Sequence, residues 1–324
     1  MKNKVLRSLI CIFVIVLVAA LVAGCGSLNN GGKKAEEISS QDNNKEAVYP
    51  LTVKDQMGRD VTIEKLPERI ISLAPSNTEI LFALGLGEKV VGVTDYCDYP
   101  DEAKTKEKIG GFADPNMEKV ISLKPDLVLA TGMHQKPVEQ LEKLNVPVIV
   151  LNPGNIQDML NSIEIIGTAT GRLVQAKELV SSLKARINNV EGRVAGLAEK
   201  QRLKVYYEVW PSPYTTAGPG TFVNDIIEKA GGQNIAADAD KQYPQYSQEM
   251  IIAKNPDIII FSHHGSTRQS ADDILKRPGW ENISAIKNKK VFYVDEDIVQ
   301  RATPRLVDGL ERFAEIIHPE LFKK

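Results

Sequence analysis

The sequence predicts an α/β protein with two similar three-layer lobes joined by a long connecting helix. Short apolar runs alternate with helical segments in both halves of the chain, which favours mainly parallel sheets covered on both faces. One helix-then-strand unit occurs twice, as MEKVISLKPDLVLA at 117–130 and QEMIIAKNPDIIIF at 248–261. Between the two halves, residues 156–200 contain no proline and repeat apolar positions at helical spacing, which predicts the connecting helix.

The first 25 residues are typical of an export signal. A positively charged start precedes an uncharged, nearly all apolar run of 16 residues, Leu9–Gly24, and a transmembrane helix needs about 20. The run ends in LVAGC, which is similar to a bacterial lipoprotein box and predicts that Cys25 is lipidated after cleavage. The alternative is a signal anchor with an incidental cysteine. The lipoprotein interpretation places the protein at the extracytoplasmic face of the cell membrane, held by lipid only.

Composition limits the remaining functional classes. Residues 26–48 carry almost no apolar side chains, so they predict a disordered tether between the anchor and a folded body. The whole chain has a net charge of −2 and lacks the basic excess of nucleic-acid binders. Cys97 has no cysteine partner in the folded body, and we interpret it as a small buried residue rather than a reactive one.

The first lobe, residues 49–168, contains the predicted strands and helices in strict alternation. The strands are expected at 69–74, 90–95, 126–131 and 146–151, and a helix is expected at 136–145. Ser76 followed by Glu79 predicts a capping box at the start of the first helix, which Gly85 would end. The pair Asp114-Pro115 predicts the start of the helix that carries Glu118.

The connecting segment, residues 169–200, and the second lobe, residues 201–324, follow. One helix is predicted near 155–169 and a longer one at about 173–198; the alternative for a charged helix of this length is a coiled coil. In the second lobe, Ser247 is predicted to cap the second copy of the repeat. Strands are expected at 203–210, 257–262 and 289–295, with a closing amphipathic helix in 304–319.

Five stretches carry a resemblance to a known family. They are residues 69–100, 116–130, 217–236, 243–260 and 301–311, which occur in the family's order. The chain resembles the iron-siderophore and cobalamin class of substrate-binding proteins that serve ABC importers, most of all the cobalamin-binding members. The resemblance implies a helical-backbone binding-protein fold without enzymatic activity or cofactor. It also implies a monomer that captures a cobalamin or other corrinoid in the cleft and delivers it to a permease dimer with ATPase subunits.

The resemblance gives the repeated glutamates a role. In such proteins each lobe carries an exposed glutamate that meets arginines of the permease, and Glu118 and Glu249 stand at the matching positions. Charge pairs of this kind speed the association of two proteins and fix their register more than they raise the affinity of the complex. The alternative for each residue alone is a helix-start glutamate that interacts favourably with the helix dipole.

The predicted ligand residues are aromatic or cationic. Aromatic faces suit a flat corrin, porphyrin or catecholate, although ordinary packing is the alternative for each ring. Arg301, in the segment QRATPR at 300–305, suits a carboxylate or amide group of the ligand, and a surface ion pair is the alternative interpretation. The candidates, some of which match ligand-contacting positions of cobalamin-binding relatives, are Tyr96, Phe112, Trp210, Tyr243 and Arg301.

Three histidines at strand ends leave other functions open. Imidazole ligates metal ions, including the cobalt of a corrinoid, but polar loop residues are the favoured interpretation of His134, His263 and His264. A ferric-siderophore or haem receptor is the alternative within the family. A metal-ion receptor using these histidines, and a scaffold lipoprotein without a ligand, are the alternatives of another class. An enzyme is disfavoured because the GxSxG, HExxH and phosphate-loop motifs are absent from the sequence.

Overall fold

The computed structural model describes residues 47–263 and 269–322. The predicted signal with Cys25, nearly all of the predicted tether, and His264 lie outside the described residues.

An antiparallel hairpin that the sequence did not predict begins this body. It consists of β1 (Leu51–Lys54) and β2 (Asp60–Ile63). In its turn, the buried carboxylate of Asp55 accepts hydrogen bonds from the backbone N–H groups of Met57 and Arg59, both at 2.9 Å. These bonds replace the ladder bonds that the turn cannot make, which explains why the chain reverses here.

The first lobe is built on a four-stranded parallel sheet. In this sheet β3 (Ile70–Ser72) lies between β4 (Val90–Val93) and β5 (Leu127–Thr131), and β6 (Val148–Leu151) pairs with the other side of β5. Its strands are buried on both faces, as expected for a sheet between two helical layers. The elements in chain order are β3 (Ile70–Ser72), α1 (Pro75–Ala83), β4 (Val90–Val93), α2 (Met117–Ser122), β5 (Leu127–Thr131), α3 (Gln135–Glu142) and β6 (Val148–Leu151). Single 3₁₀ turns occur at Gly87–Lys89 and Asp101–Thr105.

The predicted capping box of the first helix is wrong. Helix α1 begins at Pro75, whose fixed φ suits the first helical position, so Ala74 is the N-cap and Ser76 is already helical. Glu79 does not reach back to the helix start; it pairs with Arg305 of the other lobe. The helix ends as predicted before Gly85, which has a φ of 71°.

The predicted start of helix α2 is also wrong, by two residues. The cap is Asn116, whose side-chain oxygen accepts from the backbone N–H of Lys119 at 3.0 Å. Asp114 and Pro115 precede this cap. Asn116 lies closer than Asp114 to the first apolar turn, so Asn116 caps the helix.

Two long helices follow the first sheet. Helix α4 (Ile156–Ala169) is capped by Asn155, and helix α5 (Leu173–Val194) starts after the break at Gly171. One face of α5 is buried, and α5 contacts both α4 and the closing helix of the chain. The apolar stripe is thus covered within this molecule, which is the packing expected of a connecting helix rather than of a coiled coil.

The second lobe follows a 3₁₀ turn at Glu199–Gln201. Its elements are β7 (Lys204–Pro211), β8 (Tyr214–Thr216), α6 (Phe222–Lys229), β9 (Gln233–Asn234), α7 (Gln248–Lys254), β10 (Ile258–Phe261), α8 (Ala271–Leu275), α9 (Ser284–Lys287), β11 (Val291–Tyr293), α10 (Asp297–Gln300), α11 (Leu306–Ile317) and α12 (Pro319–Phe322). The strands form a mixed sheet in the order β11-β10-β7-β8, with β9 pairing β7 and β8 running antiparallel to β7. The predicted class, two α/β lobes with a connecting helix, is confirmed.

The largest cluster of buried side chains is shared by the two lobes. It runs from Ile70 in the first sheet through Ile163 and Leu183 of the connecting helices to Phe313 of α11. A continuous core of this kind resists wide relative motion of the lobes. Within the described residues, none of the helices is both long and apolar enough to cross a bilayer.

Candidate functional site

A cavity of about 800 Å³ lies between the lobes. The first lobe contributes residues that follow the carboxyl ends of β3, β5 and β6, and the second lobe contributes the start of α6 and the segment after α10. Ligands in α/β proteins commonly bind where such strand ends meet. Apolar and small residues dominate the lining, so the cavity suits a large ligand with an extended apolar face.

Three of the five predicted ligand residues line this cavity. Tyr96 is 62% exposed and Phe112 is half-buried; both present rings from the first lobe, and Arg301 faces them from the second lobe. Trp210 lies at the end of β7, paired with Thr215 of β8, and does not line the cavity. The half-exposed Tyr243 borders a separate groove in the second lobe. Ligand binding by any of the five stays a prediction.

Arg301 is held by carboxylates from both lobes. Its Nη1 donates to Asp98 of the first lobe at 2.7 Å, and its Nε lies 2.7 Å from Asp297 of the second. Burial favours the protonated form of Asp98, but the hydrogen bond and charge of Arg301 outweigh it and keep the pKa of Asp98 below its usual value. Burial, with the nearby charges of Asp98 and Asp295, raises the pKa of Asp297 to about 6 despite the guanidinium.

A second ion pair joins the lobes beside this site. Arg305 donates from Nε and Nη2 to the two carboxylate oxygens of Glu79, at 2.8 and 2.6 Å. Its guanidinium also stacks on the ring of Tyr99, 4.0 Å from the centroid. Planar, two-point pairing of this kind fixes geometry as well as charge. The two pairs position the segment 301–305 against the first lobe and so define one wall of the cavity.

His134 packs against the loop that forms the Phe112 side of the cavity. The side chain is fully buried; Nδ1 accepts from the backbone N–H of Thr131 at 3.0 Å, and Nε2 donates to the carbonyl of Phe112 at 2.7 Å. Burial lowers the pKa of His134, although these two hydrogen bonds oppose it, so the ring is neutral. Neither nitrogen has a free lone pair for a metal ion. The residue fixes the loop that presents Phe112, whose ring it meets edge-on at 5.3 Å.

His263 belongs to a buried ionic cluster in the second lobe. Its Nε2 lies 2.9 Å from Glu208, although off the axis of a hydrogen bond, and Glu208 receives two bonds of 2.6 Å from Arg277. Burial favours protonated Glu208, but its hydrogen bonds from Arg277 outweigh this effect and lower the pKa. Across residues 47–263 and 269–322, no three histidine, cysteine or acidic side chains are grouped to hold a metal ion.

The repeated units share their local structure. Glu118 is the second residue of α2 and Glu249 the second of α7, and both are exposed. The predicted cap Ser247 is confirmed: its hydroxyl accepts from the backbone N–H of Met250 at 3.2 Å. Hydrogen bonds from its own backbone N–H and from Ser247 lower the pKa of Glu249, so it is ionised at neutral pH.

The repeated aspartates are structural. Asp126 accepts from the backbone N–H groups of Glu68 and Arg69 before β3, and Asp257 accepts from that of Lys204 at the start of β7. Each therefore joins the starts of two neighbouring strands. The aspartates explain part of the repeat by folding alone, whereas the exposed glutamates make no such contact.

Comparison with known proteins identifies the family to which this two-lobed α/β fold belongs. The model of one family, described as periplasmic binding protein, matches residues 70–298. The chain belongs to this family of periplasmic binding proteins. The family comprises transport components rather than enzymes, and this chain is a substrate-binding protein of an ABC importer.

Two curated relatives are similar over most of their length. An ABC transporter substrate-binding lipoprotein of Bacillus subtilis, YvrC, is 39% identical over 317 residues, covering 96% of this chain and 97% of the relative. The vitamin B12-binding protein of Vibrio parahaemolyticus is 31% identical over 255 residues, covering 75% and 86%.

Two solved structures show the same fold with other named ligands. A possible iron-binding, periplasmic solute-binding protein from Staphylococcus epidermidis has a TM-score of 0.69 at 36% identity, covering 78% of this chain and all of that one. The periplasmic heme-binding protein RhuT from Roseiflexus has a TM-score of 0.69 at 27% identity, covering 78% and 99%. Family membership therefore leaves the ligand of this periplasmic binding protein open.

The ionic cluster around Arg301 was not recognised from the sequence. Asp98, Asp297 and Arg305 were not singled out, and Glu79 was interpreted only as part of a helix cap, although the four fix the cavity wall of this binding protein. One signal was present: arginines four residues apart around a proline, at 301 and 305, in a stretch that resembles the family. The acidic partner of Arg305 lies 226 residues earlier, and no local pattern links the two.

Proposed function

We propose that this protein is an extracytoplasmic, lipid-anchored receptor that captures a cobalamin or another corrinoid in the inter-lobe cleft. The observation that carries the proposal is the cavity of about 800 Å³ with the rings of Tyr96 and Phe112 on one side. Aromatic rings contact flat macrocycles over a large area, and a cavity of this volume accommodates most of one. The name of the Vibrio parahaemolyticus relative supports the choice of corrinoid.

Delivery to the permease is proposed to use Glu118 and Glu249. They occupy the same position in their helices, both are exposed, and each lobe supplies one, which suits a two-fold symmetric partner. Because exposed pairs are individually weak, the two carboxylates act by setting register and by guiding encounter.

Membrane attachment is proposed to occur through lipid on Cys25. The support is the LVAGC sequence after a short apolar run and the name of the Bacillus relative, a lipoprotein. Replacing Cys25 by serine should leave the protein unprocessed or released. Normal gel mobility and full membrane retention of the Cys25→Ser protein would show that the anchor is wrong.

A ferric siderophore or haem in the same cleft is the second candidate, supported by the names of the two structural neighbours. The deciding experiment is identification of the ligand retained on the purified protein by absorbance and mass spectrometry. Calorimetry with cyanocobalamin, haem and a siderophore panel then gives affinity and stoichiometry. The proposal expects one corrinoid per chain. Selective haem or siderophore binding supports the second candidate, and absence of any binding favours a metal-ion receptor or scaffold.

A further inference from the structure

The charged residues around the cleft indicate which ligands can bind there. Among the described residues that line the cavity, the charged side chains are Asp114 and Arg301. The positive charge of Arg301 is already paired: Asp98 and Asp297 each lie 2.7 Å from it, and Glu79 lies 3.6 Å from Nη1. An incoming anion would therefore compete with carboxylates that are fixed in place.

The neighbouring arginine is also paired. Its Nε and Nη2 donate to the two carboxylate oxygens of Glu79, and one face of its guanidinium is covered by Tyr99. Two guanidinium groups thus face three carboxylates in this cluster, with Asp114 farther along the lining. An anionic ligand placed here loses its hydration without gaining an unpaired cation, and it meets like charge.

The remaining polar groups of the cavity are neutral. Ser76, Asn152 and Gln300 supply a hydroxyl and two amides, and Arg301 keeps a third nitrogen, Nη2, beyond the two that bind carboxylates. Such groups match the carbonyl oxygens and N–H groups of uncharged amides.

We infer that the cleft selects a ligand whose periphery carries uncharged amide groups and discriminates against ligands that bring carboxylate or catecholate charge to the wall formed by Arg301. This inference deepens the proposed function and rests on it for the location of the binding site. It separates corrinoids, whose side arms end in amides, from haem with its two propionates and from ferric catecholates.

Ligands that differ in peripheral charge test the inference. Cyanocobalamin is compared by calorimetry with its monocarboxylic acid derivatives, in which one peripheral amide is hydrolysed. A neutral ferric hydroxamate is compared with an anionic ferric catecholate. Because a ligand carboxylate or catecholate would meet the like charge of this cluster, at least one monocarboxylate and the catecholate should bind at least about tenfold more weakly than their neutral counterparts.

A matched pair of variants connects the discrimination to Arg301. Asp98→Asn removes one carboxylate from the guanidinium, so the ratio of cyanocobalamin to monocarboxylate affinity should fall by about threefold or more. Asp101→Asn makes the same substitution three residues away on an exposed side chain paired with Lys104, and the ratio should not change. Asp98 is half-exposed, so the fold tolerates the substitution.

The outcomes separate this inference from the proposed function. Equal or tighter binding of the monocarboxylates, or preference for haem or the catecholate, overturns the inference. Preference for the neutral hydroxamate over both cyanocobalamin and the catecholate retains the inference and overturns the corrinoid assignment. If none of the probes binds, both are overturned. An equal change of the affinity ratio in Asp98→Asn and Asp101→Asn shows that Arg301 is not the discriminating group.

Discussion

Replacing Arg305 with methionine removes the cation that pairs with Glu79 while keeping most of the apolar volume. The Glu79 side chain is 2% exposed and that of Arg305 is 18% exposed, so the pair is largely shielded from water. Removing one member of such a pair typically costs about 3–5 kcal/mol, because the other charge stays buried. Nη1 of Arg301 remains 3.6 Å from Glu79, so we expect a loss near the lower end, about 3 kcal/mol.

The assay is urea unfolding of the protein without residues 1–46. Arg312→Met is the matched control, since Arg312 pairs with Glu315 and both are about half-exposed; this exposed pair should contribute less than about 1 kcal/mol. Adding Glu79→Gln to Arg305→Met removes the unpaired charge and should recover part of the loss. If Arg305→Met is no less stable than Arg312→Met, the pair does not stabilise the contact between the lobes.

Three further predictions concern the cavity wall, pH and transport. His134→Ala leaves the carbonyl of Phe112 and a backbone N–H without partners, and should lower the unfolding free energy by about 2–4 kcal/mol and weaken ligand binding. Folding raises the pKa of Asp297 from 3.8 to about 6, so protonation of this carboxyl stabilises the folded state. This contribution to the free energy of unfolding is lost as the pH rises from about 4 to 6. Asp297→Asn should therefore flatten the resulting decline in stability. Reversing Glu118 and Glu249 together to arginine should nearly abolish uptake while ligand affinity of the free protein stays unchanged.

Each of these has a control on the same molecule. Gln135→Ala alters the exposed residue beside His134 and should leave stability and binding close to normal. Asp272→Asn, on an exposed side chain, should leave the decline between pH 4 and 6 in place. Reversal of two exposed glutamates of the connecting region, Glu178 and Glu199, should preserve uptake. Equal effects of any variant and its control would contradict the corresponding account.

Local rules succeeded where the signal and the structure lie within a few residues. Ser247 caps its helix because its hydroxyl stands at the residue before an apolar turn, and the strands appear where short apolar runs occur. The same rule failed for Ser76 and Glu79, since Pro75 had already fixed the helix start and Glu79 is held by the other lobe. A pattern of residue types does not reveal which of two possible partners a side chain takes.

The cavity was predicted only in part for a similar reason. Tyr96, Phe112 and Arg301 were identified because aromatic and cationic loop residues are visible in the sequence. The pairing of Arg301 with Asp98 joins residues 203 apart and depends on how the lobes meet. Sequence reasoning also left the strand-end histidines open as metal ligands, and only the two backbone contacts of His134 show that both of its nitrogens are occupied.

Calorimetric titration of cyanocobalamin into the wild-type protein, Tyr96→Ala and Tyr243→Ala tests the central claim most directly. The ring of Tyr96 lines the cavity and that of Tyr243 lies in a separate groove. We expect one site per chain, with Tyr96→Ala weakening binding by about threefold to tenfold, as loss of a stacking contact does. Tyr243→Ala tests whether the neighbouring groove of the second lobe takes part in the same site. No measurable binding by the wild-type protein, or unchanged affinity in Tyr96→Ala, would contradict a corrinoid site in this cleft.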